Sequence, residues 1–468
     1  MAQCARAMER AAADRFPPQI WFLAWNEAAE RFSYYGMTSI LTLHLVDHLG
    51  VARNLAISWY SVFTAAVYLM PIVGGVVADR FWGRYHTILW LSLGYVAGHA
   101  TIAAWESPAG LVIGCALIAV GSGGIKPNAS AFAGDQIPPG RGRLLERLYD
   151  LWYWAINVGS LASQIAVPWL YDRYGPRLGF GTPAVAMALA LAVFWIGRRR
   201  YVRPPPAGPS PHGFLRVLAS AVRHRRRAGR GPGWLGGARI DHPAWAVEGA
   251  RAVFRISAVF AAVSAFWALF FQYGSSWTLQ ANDMERRVTL LGRDYLIPPG
   301  QMQTLDALFV LMLIPAFTFA VYPGVERLGL RMTPLRKMAG GMFVMTLSFV
   351  AAAGVEAMLR AGLRPHVAWQ VPQYLFLAIA EVMVSVTALE FAYTQAPAQM
   401  KSAIMGLWFL TFSAGSLLTS AVAALNRFEG VAYFAFFAVL QLAAAVAFAL
   451  VARWYPEPAT ARPAAEPA

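Results

Sequence analysis

Apolar runs long enough to cross a lipid bilayer recur along nearly the whole chain, and no other feature limits the fold so tightly. Soluble cores do not require such runs. Composition points the same way: 58% of the residues are hydrophobic and 13% are charged. A soluble globular chain carries about a quarter charged residues, so the deficit is large. A formal net charge of +15 could suggest a nucleic-acid partner. The basic residues, however, gather between the apolar runs, alternately dense and sparse, as the positive-inside rule expects of a membrane protein. Nucleic acid is therefore not expected as a partner. Cys4 and Cys115 are far apart and poorly set for a disulfide or a metal site. The stretch up to Pro18 mixes Arg6, Glu9, Arg10 and Asp14, too polar for a cleaved signal peptide.

The runs predict twelve helical spans, at 19–48, 55–80, 86–105, 110–132, 146–171 and 180–198, then 252–281, 302–326, 334–359, 367–395, 401–425 and 430–454. An even count puts both ends on one side, and the distribution of Lys and Arg puts that side in the cytoplasm. The organisation expected is a cytoplasmic segment 1–18, a six-helix bundle 19–198, a basic linker 199–250, a second bundle 251–455 and a cytoplasmic tail 456–468. The linker, with RRRYVRPPP and RHRRRAGRGPGWLGG, has no span-length apolar run, and its arginines suit anionic lipid headgroups. The two halves echo each other. After the second span the chain reads GGVVADRFWGR, with Asp79, Arg80 and Arg84; after the eighth it reads PGVERLGLR, with Glu326 and Arg327. Related halves are expected of a carrier that rocks about a central site. The first copy resembles the loop signature of the major facilitator superfamily.

Charged residues inside spans cost roughly 2.5–3.5 kcal/mol each on insertion scales, so each one poses a functional question. In NEAAERFSYYG, Glu27, Glu30 and Arg31 share one helical face. Two acids with one base can leave a carboxylate poised between burial, which favours the neutral acid, and the guanidinium, which favours the anion. A proton-coupled carrier needs such a group; a static ion pair is the plain alternative. In GSGGIKPNASAFAGDQ, Gly121, Gly123 and Gly124 permit close helix approach, and Pro127 opens the helix beside Lys126, one of three lysines in the chain. A compact ammonium changes partners more easily than a guanidinium. Glu381, in the tenth span, is its natural partner across the halves, and a bridge formed in one access state would act as a gate. Glu390 lies farther along and suits packing or capping as well as function.

At these residues the chain resembles the proton-dependent oligopeptide transporter family. EAAERFSYYG, GSGGIKPNASAFAGDQ, LYDLWYWAINVGSL, FWALFFQYGSSWTLQ and VSVTALEFAYTQAPAQMKS match that family's signatures in order, at the first, fourth, fifth, seventh and tenth spans. The resemblance implies an all-α integral membrane protein of the major facilitator fold that imports di- and tripeptides, or similar small solutes, with protons. It implies that Glu27, Glu30 and Arg31 couple the proton, and that Lys126 engages the substrate carboxylate or Glu381. Glu381 would take the amino group, with Tyr35, Tyr68, Asn157, Trp267 and Trp408 around the substrate. Asp79, Arg80 and Arg84 would serve gating with Lys126 and Glu381. No cofactor is implied beyond the proton, and a monomer in lipid is expected.

Four positions depart from the family pattern. Thr38 and Phe271 stand where peptide carriers commonly have an arginine and an acid that pair. Losing both avoids stranding one buried charge. Asp306 replaces an asparagine, adding a carboxylate that would bind a substrate amine or restore the titratable group missing at Phe271. Ser61 stands where animal members have a histidine, leaving proton transfer to carboxylates. Arg53 and Asp283 form a candidate replacement outer gate. The linker is too short and too polar for the two extra helices common in bacterial members. A carrier of a non-peptide solute (an amino acid derivative, nitrate or an amine drug) stays open, as does a transport-inactive sensor. An enzyme is not expected, since no nucleophile–base pair, zinc spacing or nucleotide loop is visible.

Overall fold

The computed structural model describes residues 15–208, 210–225, 234–290, 292–388, 391–392 and 400–455. Glu390 and the segments 1–14 and 456–468 lie outside the described residues. Helical rods occupy the expected spans. In the first half they are α1 (Gln19–Leu43), α2 (Arg53–Val77), α3 (Gly83–Ala104), α4 (Pro108–Ile125), α5 (Gly142–Tyr174) and α6 (Pro176–Ile196). In the second half they are α7 (Ala244–Phe270), α8 (Thr304–Ala316), α9 (Pro334–Arg360), α10 (Val371–Glu381), α11 (Lys401–Leu425) and α12 (Val431–Trp454). Among the described residues, nine helical segments are long and apolar enough to cross a membrane by length and composition, one of them running through both α2 and α3. Most of the buried apolar side chains fall into two clusters, one drawn from residues 20–201 and the other from 217–448.

Local chemistry fixes the ends of the rods. Ser107 caps α4 by accepting from the Gly110 N–H at 3.0 Å, with Pro108 at the first position. The fourth span does not run unbroken over 110–132. It turns at Lys126–Asn128 and resumes as a short helix, Ala129–Gly134. Pro127 has no N–H to return to Gly123, and the Asn128 side-chain amide donates to the Gly124 carbonyl at 2.9 Å instead. π-turns follow α2 (Ala78–Trp82), α8 (Phe317–Val321) and α10 (Val382–Val386). The first contains Asp79 and Arg80 of one echoed loop and the second ends just before the other, so a π-turn marks both copies.

Close crossings set the site. A Cβ at Gly74 on α2 would stand 1.8 Å from the Gly123 carbonyl oxygen on α4. One at Gly159 on α5 would stand 2.2 Å from the Ala28 carbonyl oxygen on α1. These contacts draw α1 against α5 and α4 against α2, bringing Glu27, Glu30 and Arg31 near Lys126.

The described parts of the linker carry defined contacts and helices. Gln136 donates to the Val202 carbonyl at 3.0 Å and accepts from the Val202 N–H at 2.8 Å. The Gly208 N–H reaches the Asp79 carbonyl at 3.0 Å. An amphipathic helix, Phe214–Arg223, follows, and α7 begins at Ala244, inside the stretch read as linker. A hairpin, Arg287–Leu290 with Arg293–Leu296, lies in the loop before α8.

Replacing Gly74 with Ala is expected to lower the thermal unfolding midpoint in detergent, at a cost of about 1–3 kcal/mol or more. Gly75→Ala, where a Cβ would meet nothing within 4 Å, should leave the midpoint unmoved.

Candidate functional site

On α1, Arg31 stands between both acids. Its Nε lies 3.1 Å from Glu27 Oε1 and its guanidinium 2.5 Å from Glu30 Oε2. Glu30 is fully buried, and Glu27 and Arg31 nearly so. The contacts balance charge but leave hydrogen-bonding capacity open: Glu27 Oε2 and Arg31 Nε have no aligned partner. Tyr95 of α3 lies within electrostatic reach of Glu30 and Arg31. Behind it sits His99, fully buried, which no sequence reading singled out. Ser33 donates to the Pro183 carbonyl at 2.7 Å, so His99 Nε2, 3.0 Å from the Ser33 hydroxyl, must donate to it. A histidine amid apolar residues in LGYVAGHA was the available signal.

Lys126, half-buried at the break in α4, has Nζ over the rings of Tyr34 at 4.2 Å and Tyr68 at 4.5 Å. It lies within electrostatic reach of Arg31, Glu30 and Glu27. Among the described residues no ion pair joins Lys126 to Glu381, so the bridge suggested by the sequence is open in this conformation.

Tyr68 links the halves. Its ring stacks on Phe412 at 4.7 Å and tilts against Phe271 at 5.1 Å. Behind these rings, Trp267 packs 3.9 Å from Phe412 and 5.6 Å from Trp408. Trp267 and Trp408 are only 2% and 3% exposed. Expected as pocket lining, they instead form the wall behind Phe271 and Phe412. Tyr35 and Tyr68 keep partly open surfaces, while Asn157 turns its amide to the Tyr153 carbonyl at 2.8 Å. The departures behave as their chemistry requires. Thr38 spends its hydroxyl on the Tyr34 and Tyr35 carbonyls, and Ser61 on that of Ile57.

The opposing acids belong to the second half. Asp306 lies in the first turn of α8, where the helix dipole favours an anion, and Glu381 ends α10 just before its π-turn. Tyr35 lies within electrostatic reach of both clusters: Arg31 and Glu30 on its own helix, Glu381 and Asp306 across the interface.

Contacts between the two halves gather at one end of the interface. Arg53 and Asp283, the candidate gate residues, form two hydrogen bonds of 2.6 Å. Ser58 meets Ser420 at 2.8 Å, Thr42 donates to the Gly274 carbonyl at 2.8 Å, and Gln301 to the Ile165 carbonyl at 2.7 Å. A surface concavity here, lined by Arg53, Gln280, Asp283, Glu356 and Tyr433 among others, contains none of the coupling residues. At the opposite end, Arg84 pairs with Asp135 at 2.6 Å, an acid that sequence reasoning passed over within the GDQ of the fourth-span motif. This pair holds α3 to the end of the fourth span within one half. The side chains of Asp79 and Arg80, the acidic-basic pair of the loop, form no ion pair among the described residues.

The POT family pattern matches residues 85–429. Solute carrier family 15 member 1 of Oryctolagus cuniculus is 37% identical over 369 residues, 72% of this chain and 52% of the relative. Peptide transporter family 1 of Drosophila melanogaster is 37% identical over 359 residues, 73% of this chain and 48% of the relative. The chain thus spans about half the length of the curated relatives it matches. The solved structure of the POT family transporter PepTSo superposes with a TM-score of 0.88 at 36% identity, covering 94% of this chain and 99% of that one. A peptide transporter POT in complex with alafosfalin gives 0.78 at 26% identity, covering 93% and 94%.

Removing Arg31 would strand two buried carboxylates. Arg31→Gln is expected to cost about 3–5 kcal/mol of stability, read as a lower unfolding midpoint in detergent. Adding Glu27→Gln and Glu30→Gln should recover most of the loss; no recovery would show that Arg31 acts by packing rather than charge.

Proposed function

Since this chain belongs to the POT family, and is thereby a multi-pass membrane transporter of the major facilitator fold, we propose that it imports short peptides together with protons by alternating access. The observation that carries this reading is the division of charge across the interface. A flexible ammonium, Lys126, stands on the first half, and two carboxylates, Asp306 and Glu381, stand on the second. A zwitterionic peptide has the complementary layout, with its carboxylate toward Lys126 and its ammonium toward Glu381. Aromatic walls from Tyr35, Tyr68 and Phe271 accept varied side chains without demanding specific hydrogen bonds. The names of the curated relatives, which include peptide transporters, support the same substrate class.

Coupling follows from the charge balance on α1. With Arg31 engaged by both acids, a proton arriving on Glu30 or Glu27 frees part of the guanidinium and changes the field at Lys126. Lys126 then exchanges its aromatic and acidic neighbours for the substrate carboxylate or Glu381. The halves 19–198 and 251–455 rock about the site, with Arg53–Asp283 closed in the conformation described and Arg84–Asp135 steadying the opposite end. The protein works as a monomer in lipid with both termini in the cytoplasm.

A second reading has its own support. Thr38 and Phe271 remove a charge pair and Asp306 adds a carboxylate, a change that suits a non-peptide amine as well as a peptide.

Uptake of labelled dialanine into proteoliposomes under an inward proton gradient distinguishes the two. Saturable, gradient-dependent accumulation is expected; its absence alongside uptake of a simple amine would favour the second reading. Glu30→Gln should abolish gradient-driven accumulation while counterflow exchange persists, and accumulation by that variant would remove Glu30 from the coupling step.

A further inference from the structure

The acids of the second half are not balanced as those of the first half are. Glu27 and Glu30 face Arg31 and Lys126, two negative charges against two positive. Asp306 and Glu381 sit on α8 and α10, which pack together, and Glu381 lies within electrostatic reach of Asp306. The titratable groups within electrostatic reach of Asp306 are Tyr35, Tyr153, Tyr273, Tyr374 and Glu381. Those within electrostatic reach of Glu381 are Tyr35, Tyr68, Tyr153 and Asp306. No lysine or arginine pairs with either acid among the described residues. Asp306 Oδ1 is buried and meets no hydrogen-bond donor.

Two neighbouring carboxylates, each partly withdrawn from water and without a fixed cation, favour two positive charges beside them. The amino terminus of a peptide supplies one. The second place is filled by a proton when the substrate has a single amine, or by a second ammonium when it has two. Phe271 and Thr38 bear on this directly. The ring and the methyl-bearing side chain leave no competing cation on that flank, and the Thr38 hydroxyl is already occupied by its own helix.

We propose that Asp306 and Glu381 together form a site for two ammonium groups, so that peptides with a second amine on the amino-terminal residue are preferred substrates. The inference rests on the peptide-carrier reading and adds a substrate class to it. In this arrangement Asp306 is a specificity-determining residue: Glu381 takes the terminal amine, and Asp306 the side-chain amine of an amino-terminal lysine or its shorter homologues. A peptide with a neutral first side chain must bring a proton to the same place.

The test is competition against labelled dialanine uptake by the purified full-length protein in liposomes. Unlabelled lysyl-alanine should compete about tenfold more strongly than unlabelled dialanine, an advantage in the range of one well-placed charge pair. Asp306→Asn should erase that ratio and Asp306→Glu should restore it, with an unfolding midpoint measured on each variant to establish that it is folded. Equal competition by the two peptides in the unaltered protein would overturn the proposal. So would a lysyl-alanine advantage that persists in folded Asp306→Asn. Failure of the unaltered protein to take up either labelled dialanine or labelled lysyl-alanine would overturn the peptide-carrier reading itself, and this proposal with it.

Discussion

Arg31 is held between Glu27 and Glu30, and the rest of the first half is arranged around that contact. Burying three charges in a span is tolerable only if they neutralise one another at short range, which the two contacts within 3.1 Å achieve. The arrangement is nonetheless not saturated. Two acids share one guanidinium, and Glu27 Oε2 faces no donor. On the proposed coupling, one added proton would act through this cluster, near electrical balance but short of hydrogen bonds, by changing which acid holds the arginine.

Backbone approach makes this local chemistry felt elsewhere. The Gly159–Ala28 contact leaves no room for a side chain, so α1 and α5 are drawn into close contact beside the charged face. On α4, Pro127 breaks the helix and places Lys126 at the turn, where its stem is not committed to a regular helical neighbour. Its nearest partners are aromatic faces, contacts worth about 0.5–2 kcal/mol. A cation held that weakly can be exchanged for a carboxylate, whether of a substrate or of Glu381.

How much of this the sequence disclosed depends on whether the signal is local. The rods, the charged face of α1 and the break at Pro127 follow from apolar length, i to i+4 spacing and the missing proline donor. The Arg53–Asp283 contact, between residues separated by more than two hundred positions, was reached only through a family departure. Trp267 and Trp408 entered the expected lining only through the family resemblance; in this conformation non-local packing covers them with Phe271 and Phe412. The partners of Asp135 and His99 were not legible for a related reason. Each acts through a partner far away in sequence, Arg84 and Ser33 respectively, and neither spacing marks the pairing.

Loss and gain of charge across the interface follow one rule. A buried arginine–acid pair can disappear as a pair, because removing both members leaves no stranded charge; Thr38 and Phe271 show the result. A single carboxylate cannot be added on those terms, since it brings its own desolvation cost and no partner. Asp306 keeps part of its surface open, with Oδ1 buried and without a donor, so its desolvation is partial. Its place in the first turn of α8 can offset part of that cost through the helix dipole, worth about 0.3–1 kcal/mol. On the proposed reading the matching charge arrives with the substrate or as a proton, so one unmatched acid would tie occupancy of the site to the charge of its cargo.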